Sequence, residues 1–250
     1  MVKNMEPLSI RKKNMVTKLI LILCLLAGTG AALGIYKSPY IIHEMAVIND
    51  FSTTKYLPIK QGSYWLYSYS KTTSINGKLV KQKGQFRMRV LRMYNAPAYS
   101  LAVLKGNPLT CDPEELFGYL IYSNKIYYVR SAELNDMESA AKDKQNGGLD
   151  LEKAALQFEF PLFKGLSWQS NEMMARNDGK YCWMVDKEQY LEFGRGKHPN
   201  IYHTYWLRYV TNPDDTTVRF VPEIGIFSVS YKHHGSRNEF EVLLKGCELK

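Results

Sequence analysis

The sequence predicts a mainly β fold: a curved antiparallel sheet, half-barrel-like, built from two meanders and preceded by an N-terminal transmembrane or signal helix. Three observations carry that expectation. Apolar and polar residues alternate with period two along several stretches. Turn dipeptides punctuate those stretches at regular spacing. A nine-residue phrase, LPIKQGSYW at 57–65, returns as FPLFKGLSW at 160–168.

The first strand shows the alternation most cleanly. In YWLYSYS, Trp65, Tyr67 and Tyr69 point one way and Leu66, Ser68 and Ser70 the other. Asn76-Gly77 is a strong hairpin signal. QFRMRVLRMY follows, with Phe86, Met88 and Val90 opposite Arg87 and Arg89. YSLAVLK, GYLIYS and IYYVRS continue the meander, the last two joined at Asn124-Lys125. Residues 132–157 break the pattern: polar, charged and interrupted by Gly147-Gly148, they read as an excursion with one or two short helical turns. After the second phrase, KYCWMVDKEQYLEF, IYHTYWLRYV, TTVRFVPEIGIFSVSYK and EFEVLLKGCEL read as strands. Pro222 and Gly225 mark a bend between two of them. The 18 tyrosines reinforce the β reading, because aromatic side chains suit a half-buried pleated surface.

The repeated phrase has a mechanical explanation. Pro58 and Pro161 fix one φ and remove a donor. Gly62 and Gly165 permit a backbone that other residues avoid. Trp65 and Trp168 then cover the end of a core with a large apolar surface. The phrase therefore marks the start of each meander.

The organisation along the chain follows. Residues 1–18 are a basic cytoplasmic n-region, with Lys3, Arg11, Lys12, Lys13 and Lys18 against Glu6. Residues 19–36 carry no charge, and at helical rise they cover about 27 Å, nearly a hydrocarbon core. The basic flank comes first, so the positive-inside rule leaves everything from Lys37 outside the cytoplasm. Two fates are open. The long n-region and the length of the run favour an uncleaved single-pass anchor. The small residues AGTGAALG favour a signal peptide cut near Ala32 or Gly34, which would leave a secreted protein. Cys24 follows Leu23 within the apolar run and is not a lipidation site. Residues 37–55 form a juxtamembrane stalk, and 56–250 the extracytoplasmic β domain, with halves 56–131 and 158–250.

Phrases of this kind are similar to those of a family of bacterial exported proteins without an assigned activity. Its members open on a Pro-Leu-x-x-Gly-x-x-Trp-x-Tyr pattern, as in YLPIKQGSYWLYSY. They repeat a shorter version mid-chain, as in FPLFKGLSW, and close on a Pro-Gly-Val-Gly-like turn before two last strands, here FVPEIGIFSVSY and FEVLLKGCEL. The chain departs from the pattern at Glu223, which stands where the first Gly of that turn belongs. The resemblance implies a curved antiparallel domain outside the cytoplasm. Some such folds resemble the half-barrel of lipoprotein carriers, which cup an apolar ligand. It supplies no catalytic residues.

A search for chemistry returns little. The net charge is +9, of which about +5 lies outside the n-region, an excess that fits a solvated surface rather than a nucleic-acid footprint. His43, His198, His203, His233 and His234 contain no metal-binding spacing, and the adjacent pair His233-His234 would point to opposite faces of a strand. Neither a nucleophile elbow nor a phosphate loop is present; FGRGK at 193–197 lacks the spacing. Glu114-Glu115 and Asp214-Asp215 sit in turn-like contexts. Cys111, Cys182 and Cys247 are odd in number and read as buried thiols, with a Cys182–Cys247 link conceivable. The expectation is a non-enzymatic envelope protein, held to the membrane by its N-terminal helix, binding an apolar ligand or an envelope protein partner. No cofactor, metal or nucleic acid is expected. Trp65, Tyr67 and Tyr69 are the candidate ligand lining. The rival readings are an anchored or secreted hydrolase whose site is hidden by the fold, and a structural subunit of an envelope assembly.

Overall fold

The computed structural model describes residues 53–143, 151–170, 178, 180–193 and 200–250. The apolar run 19–36, Cys24, most of the stalk, His43 and His198 lie outside the described residues. Among those described, no helix is long and apolar enough to cross a membrane.

One sheet of twelve antiparallel strands makes up the domain. The first half contributes β1 (Tyr64–Ile75), β2 (Lys78–Asn95), β3 (Tyr99–Asn107), β4 (Asp112–Tyr122), β5 (Lys125–Val129) and β6 (Ala154–Glu159). The second contributes β7 (Ser167–Gln169), β8 (Cys182–Phe193), β9 (Asn200–Val210), β10 (Asp214–Val221), β11 (Gly225–His233) and β12 (Glu239–Glu248). Across the wall the order is β6-β5-β4-β3-β2-β1-β12-β11-β10-β9-β8-β7. Two six-stranded meanders are thus zipped together where the first strand meets the last, Tyr64 opposite Glu248 and Thr72 opposite Glu239. The outer strands β6 and β7 are neighbours in sequence and approach one another, Leu156 N–H donating to the Ser170 carbonyl at 2.9 Å. The half-barrel expected from sequence is therefore curled further, into a nearly closed barrel.

Both copies of the phrase do the same work. Ser63 N–H bonds the Lys60 carbonyl and Leu166 N–H the Phe163 carbonyl, each at 3.0 Å. Gly62 (φ 85°) and Gly165 (φ 89°) occupy the third position of these turns. Positive φ at that position alone makes each a type II turn, which glycine accommodates without strain. Val90 then exchanges two bonds of 3.0 Å with the first turn, from Gly62 N–H and to the Ser63 carbonyl. Val185 does so with the second, at 2.9 Å from Gly165 N–H and 2.8 Å to the Leu166 carbonyl. A bulge follows each valine, before Arg92 and before Lys187. Trp65 faces Met88 and Trp168 faces Trp183 in the matching register.

The two phrases also meet. Leu57, Ile59, Phe160 and Leu162 are all buried, and Tyr56, ending the short helix α1 (Thr53–Tyr56), stacks on Phe160 at 4.3 Å. Phe220 packs against Phe158 and Phe160 at 5.3 and 5.8 Å. Each phrase is held by a hairpin turn of the opposite half. Phe160 N–H bonds the Asn124 carbonyl at 3.0 Å in the β4–β5 turn. In the β10–β11 turn, Ile224 offers its carbonyl to Trp65 Nε1 at 2.6 Å, and Glu223 N–H bonds the Tyr56 carbonyl at 3.1 Å. Residues 50–250 form one compact unit, whose core among the described residues runs from Thr53 onward.

The polar excursion differs from its sequence expectation. Its first part is a twelve-residue helix, α2 (Ser131–Lys142), and its last part runs through a 3₁₀ turn into β6. Leu134, Met137 and Ala141 form a narrow buried stripe that packs on Leu101, Val103, Leu120 and Val129. Glu138 is nearly buried and accepts from Arg92 Nε at 2.8 Å. A Cβ on Gly118 would come within 2.9 Å of Leu134 Cδ1, so glycine there seats the helix. The stripe is only three residues wide among polar ones, which is why periodicity under-reads it.

Two sets of substitutions test this account by urea unfolding of residues 50–250. At Gly165 the added methyl meets nothing within 4 Å, so Gly165→Ala costs only the left-handed backbone, about 1–2 kcal/mol. At Gly225 (φ 102°) it would lie 2.3 Å from Leu57 Cδ1, so Gly225→Ala costs distinctly more. Glu223 already sits at φ 68°, so Glu223→Gly is expected to stabilise by up to about 1 kcal/mol. Leu134→Ala should cost about 2–4 kcal/mol and remove amide-exchange protection from α2.

Candidate functional site

The inward face of β1 carries Trp65, Tyr67 and Tyr69 in sequence. Trp65 and Tyr67 are fully buried. Both polar atoms are engaged, Trp65 with Ile224 and Tyr67 Oη with the Ile226 carbonyl at 2.8 Å. Burial first, with Tyr119 and Cys247 adding, pushes the Tyr67 phenol well above its ordinary pKa. Tyr69 is half-buried. It lies over Gly84, whose missing side chain makes room for the ring, and beside Phe86 at 6.0 Å. On the neighbouring strands Tyr231 and Phe240 stack at 5.0 Å. Of the three candidate lining residues, Tyr69 alone is accessible without repacking the core.

Polar groups converge at the other end of β11. Asp214 Oδ1 is 2.8 Å from His233 Nδ1 and accepts from Tyr231 Oη at 2.6 Å, while Thr211 Oγ1 donates to Oδ2 at 3.2 Å. Burial alone would raise the Asp214 pKa, but the bonds from Tyr231, His233 and Thr211 outweigh it and the carboxyl titrates below its ordinary value. The Tyr231 phenol is pushed up to about 12, by burial and then by its bond to Asp214. In the sequence Asp214 and His233 fall in separate turns, with Tyr231 on a strand between them. Counting outward from the Pro222–Gly225 bend would have found them, since the register sets Asp214 opposite His233.

The arrangement is an acid orienting an imidazole, the general-base half of a hydrolytic triad. Among the described residues no hydroxyl or thiol is hydrogen-bonded to its free-edge nitrogen, Nε2. His234 points to the opposite face, as strand geometry requires, and pairs with Asp215 at 3.1 Å. His203 stacks on Tyr190 at 4.9 Å with Nε2 3.2 Å from Glu188. Among the described residues no three His, Cys, Asp or Glu side chains converge as metal ligands.

Among the cysteines of the β domain, Cys111 is buried, Cys182 half-buried and Cys247 exposed. The buried-thiol expectation therefore holds for Cys111, not for Cys247. Cys182 and Cys247 lie on β8 and β12, four strand spacings apart along the wall, which explains why no bond links them.

On the outer face, Lys187, Trp206 and Arg219 form one cross-strand row. Lys187 Nζ and Arg219 Cζ lie over the indole at 3.9 and 4.2 Å. A groove of about 510 Å³ opens near the far end of β1, between Lys81 and Lys83 on one side and Glu239 and Glu241 on the other.

No family profile matches the chain, and no curated protein matches it in sequence. Among solved structures it is similar to a protein from Bacteroides fragilis NCTC 9343, described as exported with a YmcC-like fold. The identity is 10%, the coverage 76% of this chain and 96% of that one, and the TM-score 0.38. It is also similar to a protein from Parabacteroides distasonis ATCC 8503 described as a lipoprotein, at 8% identity, the same coverages and a TM-score of 0.32. Neither likeness is close enough to carry a function across.

The Asp214 cluster makes a pH-dependent prediction. A carboxyl whose folded pKa is depressed stabilises the fold above its ordinary value, 3.8, and that contribution is lost as pH falls through the folded value. Asp214→Asn should therefore lower stability by about 1 kcal/mol at pH 7. Urea midpoints of mutant and wild type should converge below pH 3.8.

Proposed function

We propose that this chain is a non-enzymatic envelope protein: an N-terminal apolar run holds it to the cell membrane, and the barrel binds a ligand or partner outside the cytoplasm. The observation that supports binding most directly is the division of the β1 aromatic row. Trp65 and Tyr67 are sealed into the core with their polar atoms satisfied. Tyr69 is half-buried beside the stacked Tyr231–Phe240 pair. An aromatic ring that stays accessible beside a packed core suits an apolar or ring-bearing ligand. The membrane attachment rests on the sequence alone, on the basic flank and the uncharged run 19–36.

Native mass spectrometry of gently purified residues 50–250 tests the binding reading. An extra mass that Tyr69→Ser releases without loss of fold is the expected result. A bare monomer mass across preparations counts against a retained ligand and moves the search to a protein partner. Fractionation of the full chain tests the attachment: it should stay with membranes after carbonate washing and be degraded by protease added from outside.

The hydrolase reading keeps one observation in its favour, the Asp214–His233 pair. Active-site-directed fluorophosphonate labelling that depends on His233 would establish it; the expected result is no labelling.

A further inference from the structure

We propose that the β1–β2 hairpin is a membrane-contacting prong that docks on an anionic bilayer surface. The wall loses its neighbours there. β12 accompanies β1 only as far as Thr72, and β3 accompanies β2 only from Arg89 onward. Beyond Thr72 the two strands continue as a bare ribbon, turned by Asn76 and Gly77 at φ 52° and 75°. Every residue from Ser74 to Lys83 is exposed.

Ribbon composition points to the partner. Ile75, Leu79 and Val80 gather at the tip, 53%, 44% and 36% exposed. They belong to the short list of large apolar side chains that the described residues leave in water. Lys78, Lys81 and Lys83 surround them, and no acid occurs between Lys71 and Arg87. Among the described residues none of these lysines has an ion-pair partner. Glu239 and Glu241 sit at the ribbon's foot on β12, with β1 between them and Lys81 and Lys83. Lysines on an exposed strand also discourage edge-to-edge pairing, but that role needs no apolar tip. Side chains that prefer the acyl boundary, ringed by cations that prefer lipid phosphates, suit a prong entering the headgroup layer tip first.

This inference builds on the membrane attachment proposed above. β1 covers about 37 Å from Tyr64 to Ile75. Attachment of the chain to a membrane raises the local concentration of lipid around the prong.

The test separates the two ideas. Residues 50–250, which lack the apolar run, are sedimented with vesicles of phosphatidylcholine alone or with 30% phosphatidylglycerol. Binding to the anionic vesicles only, weakened by salt, is expected. Lys78→Gln, Lys81→Gln and Lys83→Gln should each cut partitioning about fivefold, and Leu79→Ser should also reduce it. Lys245→Gln, an exposed site on β12 away from the ribbon, should not. Unchanged urea midpoints will show that the ribbon variants keep their fold. No binding, or equal losses at Lys81 and Lys245, would overturn the prong. Failure of the full chain to stay with membranes would overturn the attachment and leave the vesicle result standing.

Discussion

The pairing of β1 with β12 is the contact on which the rest depends. Each meander taken alone would expose two strand edges, and an exposed edge is a row of unsatisfied donors and acceptors. Joining the first strand to the last removes one edge from each half at a stroke. It also brings Trp65 under the β10–β11 turn, where Ile224 accepts its indole N–H. The remaining edges, β6 and β7, then need only the short link between them to come together. Curvature, the aromatic core and the meeting of the two phrases all follow from that one ladder.

Much of this was legible in the residues. The period-two alternation of β1 named the inward row correctly, because side-chain direction in a strand depends on little besides parity. Asn76-Gly77 located the longest hairpin, and the phrase located the start of both halves. Closure was not legible: nothing in EFEVLLKGCEL says that it must pair with YWLYSYS rather than stop at β11. Helix α2 was under-read because its burial depends on a partner feature, the missing side chain of Gly118, that lies outside the helix. The Asp214–His233 pair escaped because two residues nineteen apart become neighbours only once a hairpin register is counted. Where a ligand would sit was less legible still. Trp65 and Tyr67 look the same as Tyr69 in sequence, and only packing separates core from accessible wall.

The matched turns at Gly62 and Gly165 show how one local device can be used twice. Each turn clips a valine on the next strand, and each valine precedes a bulge. The bulge sharpens the strand's twist, so bend and clip occur together in both halves. Glu223 is instructive in the opposite sense. It holds a left-handed backbone without being glycine, and its N–H ties the β10–β11 turn to Tyr56.

The order in which a ribosome would release these strands bears on how they assemble. Tyr64 emerges early, yet its partner Glu248 comes 184 residues later. Loop closure over such a span is slow, and folds rich in distant pairings form late and hesitantly. Until β12 arrives, β1 has an open edge, and Trp65 and Tyr67 lack the late carbonyls, of Ile224 and Ile226, that take up their polar atoms. A chain threaded across a membrane before folding would pass through that unprotected stage outside the cell's interior. Its survival there depends on whatever shields β1 during the wait.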